Sequence, residues 1–389
     1  MNSTRFPYLL GALLFVTISV LPAQQPSTNA PSAKPPVRVV SQVHIVTDAP
    51  ALPVTVSSTD PAVRYVGRFD LSAEPMAAWS ASSVVIKFHG TDLNALLSDD
   101  KGRNVWQIEV DGQPTDKLLI GQGKHLYRLA TGLSEGDHLA RLVKATEIYE
   151  GTTQFLGFQL SAGGALLPAP VSPYRLEVIG DSISCGAAVD GKPGEIEANN
   201  VWENAYESYG EVTARRFGAD YVCIAYSGRK LWPDNTVTEL YDEITPVHPA
   251  SVWDFSKFIP QAVIISLSTN DFGKKQPNGQ PLDQVGWVAA YEKFIGRLRG
   301  HYPAADIYCA SSPMLTGQKL TDSKACLMKI ASDLNAAGDA KVHYLELPSQ
   351  DHKDGIGGAY HPNAKTHQLI ADVIVARLTQ DLGWQPVSP

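Results

Sequence analysis

The alternation of hydrophobic and polar positions changes its period part-way along the chain. Between Arg38 and about Pro168 the period is two: Val84-Ile86-Phe88, Trp106-Ile108-Val110 and Leu156-Phe158-Leu160 alternate with polar or small neighbours. Successive side chains of a strand point to opposite faces, so this pattern predicts strands with one buried face. Turn signals at Asp111-Gly112, Gly121-Gln122-Gly123 and Glu135-Gly136-Asp137 separate the runs. The implied unit, residues 38–168, is an all-β sandwich or jelly roll. Within it, Asp99-Asp100-Lys101-Gly102 lacks the alternating oxygen ligands and closing Glu of a calcium loop and reads as a solvated hairpin.

Pro168, Pro170 and Pro173 then forbid regular structure, and beyond them the pattern changes class. Apolar runs at 175–179, 221–225, 262–267, 306–310 and 342–345 predict strands, and runs at 203–217, 283–299, 322–337 and 364–382 predict helices. Val288, Tyr291, Ile295 and Leu298 share one face of the second helix; Ile370, Ile374 and Leu378 share one face of the last. Strands alternating with amphipathic helices predict an α/β fold over residues 174–386, a doubly wound parallel sheet.

Ahead of both units, residues 1–23 carry Arg5, the apolar core LLGALLFVTISVL and Pro22-Ala23, the layout of a secretory signal peptide. Residues 24–37, QQPSTNAPSAKPPV, have nothing to bury and read as a tether. The expectation is a secreted or periplasmic protein with no membrane association after cleavage. Leu21 only half meets the small-x-small cleavage rule, which leaves an uncleaved anchor open. A formal net charge of −8 leaves no broad basic field for nucleic acid. All four cysteines (Cys185, Cys223, Cys309, Cys326) lie in the second unit; two sit in apolar strand runs, so buried free thiols are expected. The histidines form no HxxxH pair on a convincing helix face and no Cys/His cluster, so no metal or cofactor is expected.

In a doubly wound sheet, ligands bind outside the carboxyl ends of the strands. The first strand ends at Gly180-Asp181-Ser182, the second runs into Tyr226-Ser227-Gly228, and the third into Ser268-Thr269-Asn270-Asp271. The fifth is followed by a Gly-rich loop carrying His361 just before the last helix. A hydroxyl, a flexible backbone N–H, a side-chain amide and an imidazole at one crevice make an acyl-transfer kit: Ser attacks, His moves the proton, and the N–H groups stabilise the oxyanion. There is no G-x-S-x-G elbow, which counts against an α/β-hydrolase.

The GDSI around Ser182, SG at 227–228, TND at 269–271 and HPN at 361–363 resemble the ordered blocks of the SGNH/GDSL hydrolases. RYVGRFD, VVIKFHGTDLNALL, VDG and LVKATEIYEGTTQFLGFQL are similar to the jelly-roll domain of carbohydrate esterase family two. The resemblance implies an exported esterase that removes O-acetyl groups from sugars or polysaccharides, at the 6-position of hexose units. It implies Ser182 as nucleophile, His361 as base, and an oxyanion hole from the Ser182 N–H, the Gly228 N–H and the Asn270 amide. Two positions depart from the pattern: Ser268 stands where a Gly usually precedes the Asn block, and Gly358 stands where many members carry the orienting Asp. A Ser-His dyad oriented by a backbone carbonyl is expected, with Asp351 or Asp354 as the possible orienting acid reaching back from the loop. Tyr226, Trp232 and Trp253 are candidates for stacking on sugar rings or equally for covering a core. Two other readings stay open: a catalytically weak carbohydrate-binding protein on the same scaffold, and a lipid or thioester hydrolase.

Overall fold

The alternating runs of the first unit become two facing sheets. The structure, a computed structural model, describes residues 43–45, 48–196, 199–247, 251–274, 279–353 and 355–387. The expected leader and tether, the expected start near Arg38, and Asp354 lie outside them. The seven-stranded sheet runs Val43–Ile45, Gln113–Leu119, Val105–Val110, Asp137–Lys144, Ser83–His89, Ala165–Leu167, with Arg64–Val66 also pairing on Ser83–His89. The six-stranded sheet centres on Leu93–Asp99 and Thr153–Leu160. Val84, Ile86, Phe88, Trp106, Ile108 and Leu142 from one sheet meet Leu93, Ala95, Leu97, Phe155, Phe158 and Leu160 from the other in one apolar layer. This is a β-sandwich.

Two local readings are corrected. A bulge between Phe155 and Gly157 shifts the phase of that strand, so Phe155 is wholly buried and Leu156 is only half-buried. The turn after Leu93–Asp99 is not simply solvated: Asp99 is buried, bonded by the Asn104 amide at 2.9 Å and the Thr153 hydroxyl at 2.7 Å.

The second unit is a five-stranded parallel sheet of Arg175–Gly180, Asp220–Ala225, Ala262–Ser266, Asp306–Ala310 and Val342–Leu345, in spatial order second, first, third, fourth, fifth. Adjacent residues of one strand serve opposite faces. Ile179, Ile265 and Ile307 pack with Trp287, Tyr291, Ile295 and Leu327 from two helices, Gln284–His301 and Gly317–Ala336. Val178, Ile264 and Tyr308 pack with Tyr209, Phe217, Ile370 and Ile374 from Tyr209–Phe217 and Ala364–Leu382. The run expected as a helix from 203 begins helical structure only at Tyr209, after a 3-10 turn at Ala205–Glu207 capped by the Asn204 side chain. All four cysteines are buried and free.

The sandwich and the parallel sheet share a core. Ala78, Trp79 and Ile148 of the sandwich region sit in the same apolar cluster as Ile179, Val263 and Trp287. Buried Arg68 places its guanidinium 4.8 Å from the Tyr241 ring, and the Trp79 indole donates to the Ile244 carbonyl at 2.8 Å. Residues 41–389 accordingly form one compact unit.

Candidate active site

Ser182 opens a four-residue helix, Ser182–Cys185, directly after the first parallel strand. Asp181 caps that helix, its carboxylate accepting the Ile183 N–H at 3.0 Å. As the first helical residue, Ser182 has an N–H with no intrahelical acceptor. Asp181 is wholly buried, which pushes its carboxyl up to about 7 against the bonds from Ile183 and Thr269 that favour the ionised form.

His361 Nε2 lies 2.9 Å from Ser182 Oγ, and His361 Nδ1 lies 3.0 Å from the Ala359 carbonyl oxygen. A carbonyl only accepts, so Nδ1 carries the proton and Nε2 is left to accept the Ser182 hydroxyl proton. Burial holds the imidazole below the usual histidine range, opposed by the bond to Ala359. Ala359 and Tyr360 have φ of 46° and 60°, left-handed values that cost non-glycine residues about 1–2 kcal/mol each. Bonds on either side hold that conformation: Gly358 N–H to Ala188 O at 3.0 Å, Ala359 N–H to Glu195 O at 2.6 Å, and His361 N–H to Gly358 O at 2.9 Å. A side chain at position 358 would be crowded, because a Cβ there meets Ala188 Cβ and Gly191 Cα at 3.3 Å and the Trp202 ring at 3.4 Å, so its neighbours would have to give by a few tenths of an ångström.

Gly228 has φ +77° in the turn Tyr226 to Arg229, closed by a 3.3 Å bond from Arg229 N–H to Tyr226 O. Asn270, in the short helix Thr269–Gly273, donates from Nδ2 to the Arg229 carbonyl at 2.9 Å and to Asp181 Oδ2 at 3.4 Å. The Asn270 amide therefore bridges the Gly228 turn and the cap of the Ser182 helix. Ser268, where the family pattern has Gly, takes φ −174°, extended backbone open to any residue.

Known proteins share both units of this chain. Residues 65–170 match the carbohydrate esterase 2 N-terminal family, and residues 178–369 match the GDSL-like lipase/acylhydrolase family. A solved family two carbohydrate esterase from Clostridium thermocellum, in complex with cellohexaose, is 36% identical; it covers 83% of this chain and 100% of its own, with a TM-score of 0.78. The chain belongs to carbohydrate esterase family two. The cellulase/esterase CelE of Acetivibrio thermocellus is 36% identical over 338 residues, 85% of this chain, which spans 41% of that protein's length. An acetylxylan esterase / glucomannan deacetylase of Cellvibrio japonicus is 26% identical over 342 residues, covering 85% of this chain and 92% of its own.

Other expected positions of this family two esterase fall in several places. Asp351 is exposed and spends Oδ1 on the Lys353 N–H at 2.8 Å within its own loop, while the His361 Nδ1 bond goes to backbone. Trp253 offers no sugar-stacking face at this edge. It is 8% exposed and borders a groove of about 230 Å³ with Arg175 and Asp220, the first residues of their strands, so it lies at the amino edge of the sheet. Trp232 is half-buried against the core, its ring 3.0 Å from where a Cβ at Gly286 would stand. Tyr226 sits between the Tyr149 ring at 6.0 Å and the Arg229 guanidinium at 4.9 Å. Sequence reading missed Tyr360, 61% exposed beside the base, and His367 proves fully buried, its Nδ1 accepting the Tyr209 N–H at 3.1 Å. The adjacency of an aromatic to the HPN block was the only available signal for Tyr360.

Proposed function

We propose that the chain is an exported serine esterase that removes O-acetyl groups from carbohydrate through a Ser182-His361 dyad. The observation that carries the reading is the relay from Ser182 Oγ to His361 Nε2 at 2.9 Å and from Nδ1 to the Ala359 carbonyl at 3.0 Å. His361 takes the Ser182 proton as Oγ attacks the acetyl carbonyl, then returns it to the departing sugar oxygen. Water, deprotonated by the same nitrogen, releases acetate from the acyl-serine. The Ser182 and Gly228 N–H groups and the Asn270 amide receive the oxyanion, which replaces the long 3.4 Å contact of Asn270 with Asp181.

The relatives named above support a sugar-borne ester as substrate. Ser182 is only 8% exposed, which favours an acetyl group standing clear of the sugar ring; the 6-oxygen, one carbon beyond the ring, meets that need. Export rests on the layout of residues 1–23, and amino-terminal sequencing of the protein from culture medium tests it. Acetate release from acetylated gluco-, manno- and xylo-oligosaccharides, beside acetyl and long-chain nitrophenyl esters, tests the activity. Ser182→Ala is expected to lower kcat by about six decades with the fold intact, the scale seen when a serine hydrolase loses its nucleophile. Near wild-type acetate release by that variant ends the reading, and a preference for long-chain esters moves the substrate to lipid.

A further inference from the structure

One carboxylate from the sandwich grips the turn that carries Gly228. Glu147 lies between the strand Asp137–Lys144 and a 3-10 turn at Ile148–Glu150, and it is wholly buried. Its Oε2 accepts the Ser227 N–H at 2.9 Å, and its Oε1 accepts the Ser227 hydroxyl. The Cys185 thiol, on the helix that begins with Ser182, lies beside the same carboxyl. Glu147 is itself fixed. Its N–H donates to Glu203 Oε2 at 2.6 Å, its carbonyl accepts from Lys144 Nζ at 3.0 Å, and the Tyr149 hydroxyl lies 2.8 Å from Glu203 Oε1 and 3.3 Å from Glu147 Oε1.

Burying a carboxylate is costly unless its lone pairs are filled, so a buried carboxyl that takes both the N–H and the hydroxyl of Ser227 calls for an account beyond packing. The loop supplies that account. With both Ser227 donors committed to Glu147 and the Arg229 N–H committed to Tyr226, the Gly228 N–H is the one backbone donor of the turn's last three residues without an acceptor among the described residues. We propose that Glu147 is a positioning residue for the oxyanion hole. By fixing Ser227 it aims the Gly228 N–H at the acyl oxygen, and the sandwich thereby contributes to turnover itself.

The proposal rests on the oxyanion-hole reading, and Asn270→Ala separates the two. That variant is expected to lose about two to three decades in kcat; a full-rate Asn270→Ala removes the hole at Asn270 and the proposal with it. Glu147→Ala, which frees the turn, is expected to lower kcat about a hundredfold with KM within about threefold, since oxyanion stabilisation acts in the transition state. Glu147→Gln keeps an acceptor for the Ser227 N–H and is expected to restore kcat to within about tenfold of wild type. Wild-type kcat in a folded Glu147→Ala, or equal losses for Glu147→Gln and Glu147→Ala, overturns the proposal while a slow Asn270→Ala leaves the hole standing. If Glu147→Ala does not fold, Ser227→Ala decides: it removes one of the two bonds without emptying the site and is expected to lose about threefold to tenfold in kcat with KM unchanged. An unaltered kcat there overturns the assignment.

Discussion

At His361, protonation decides activity. The relay needs a neutral Nε2, and burial holds the imidazole below its ordinary value of about 6.5. A lowered pKa keeps the base neutral to more acid pH, so the acid limb of kcat/KM is expected to fall below about pH 6.5. Asp181, pushed up to about 7 by burial, and Asp271, pushed up to about 6 by burial, also titrate nearby. The limb is expected to survive in Asp181→Asn. A limb that vanishes in that variant, or a midpoint at or above about 6.5 in the wild type, contradicts the assignment to His361. The same burial logic is stronger at His367, which is held down to about 3 by desolvation and by the nearby His361. Its folded pKa is depressed, so the unfolded chain binds the extra proton and stability is lost as pH falls from about 6.5 toward 3. His367→Gln lacks that proton uptake. The stability advantage of wild type over His367→Gln is therefore expected to shrink by up to about 1.4 kcal/mol per pH unit between about pH 6 and 4, read by denaturant unfolding. A constant difference across that range rules the account out.

At the scale of the loop between the fifth strand and the last helix, the orienting group is a carbonyl presented by two left-handed residues. Asp351, exposed and bonded to the Lys353 N–H, does not meet His361 on this geometry. Asp351→Ala is expected to lower kcat by about a decade or less, far short of the four decades that altering a triad acid can cost. Ala359→Pro is the converse experiment. Proline fixes φ near −65°, against the +46° observed, and removes the N–H that donates to Glu195. With the carbonyl turned away from Nδ1, kcat is expected to drop by at least about two decades while circular dichroism is unchanged. A three-decade loss in Asp351→Ala, or a full-rate Ala359→Pro, would restore a side-chain acid.

At the scale of the whole molecule, the two units are joined by apolar side chains and by polar groups that reach across: Arg68 over Tyr241, Arg141 to Glu211 at 2.6 Å, Glu147 to Ser227. Alternation of period two and of about 3.6 is local, so the chain by itself determined the sandwich, the five parallel strands and the faces of the last helices; Ser182 and His361 were pointed to by their blocks at the carboxyl ends of the strands, and the fold brings them to 2.9 Å. The bulge at Phe155 and Gly157 was not legible, because a shift of phase depends on the partner strand. Nor was the edge at which Trp253 lies, since a tryptophan in a loop carries no label for the end of the sheet it covers. The partner of His361 Nδ1 is a backbone oxygen, which every residue possesses, so no residue type announces Ala359 as its source; only the folded φ values at 359 and 360 aim it. Glu147 meets Ser227 across 80 positions of chain, and a contact of that range exists only once both units have folded against each other.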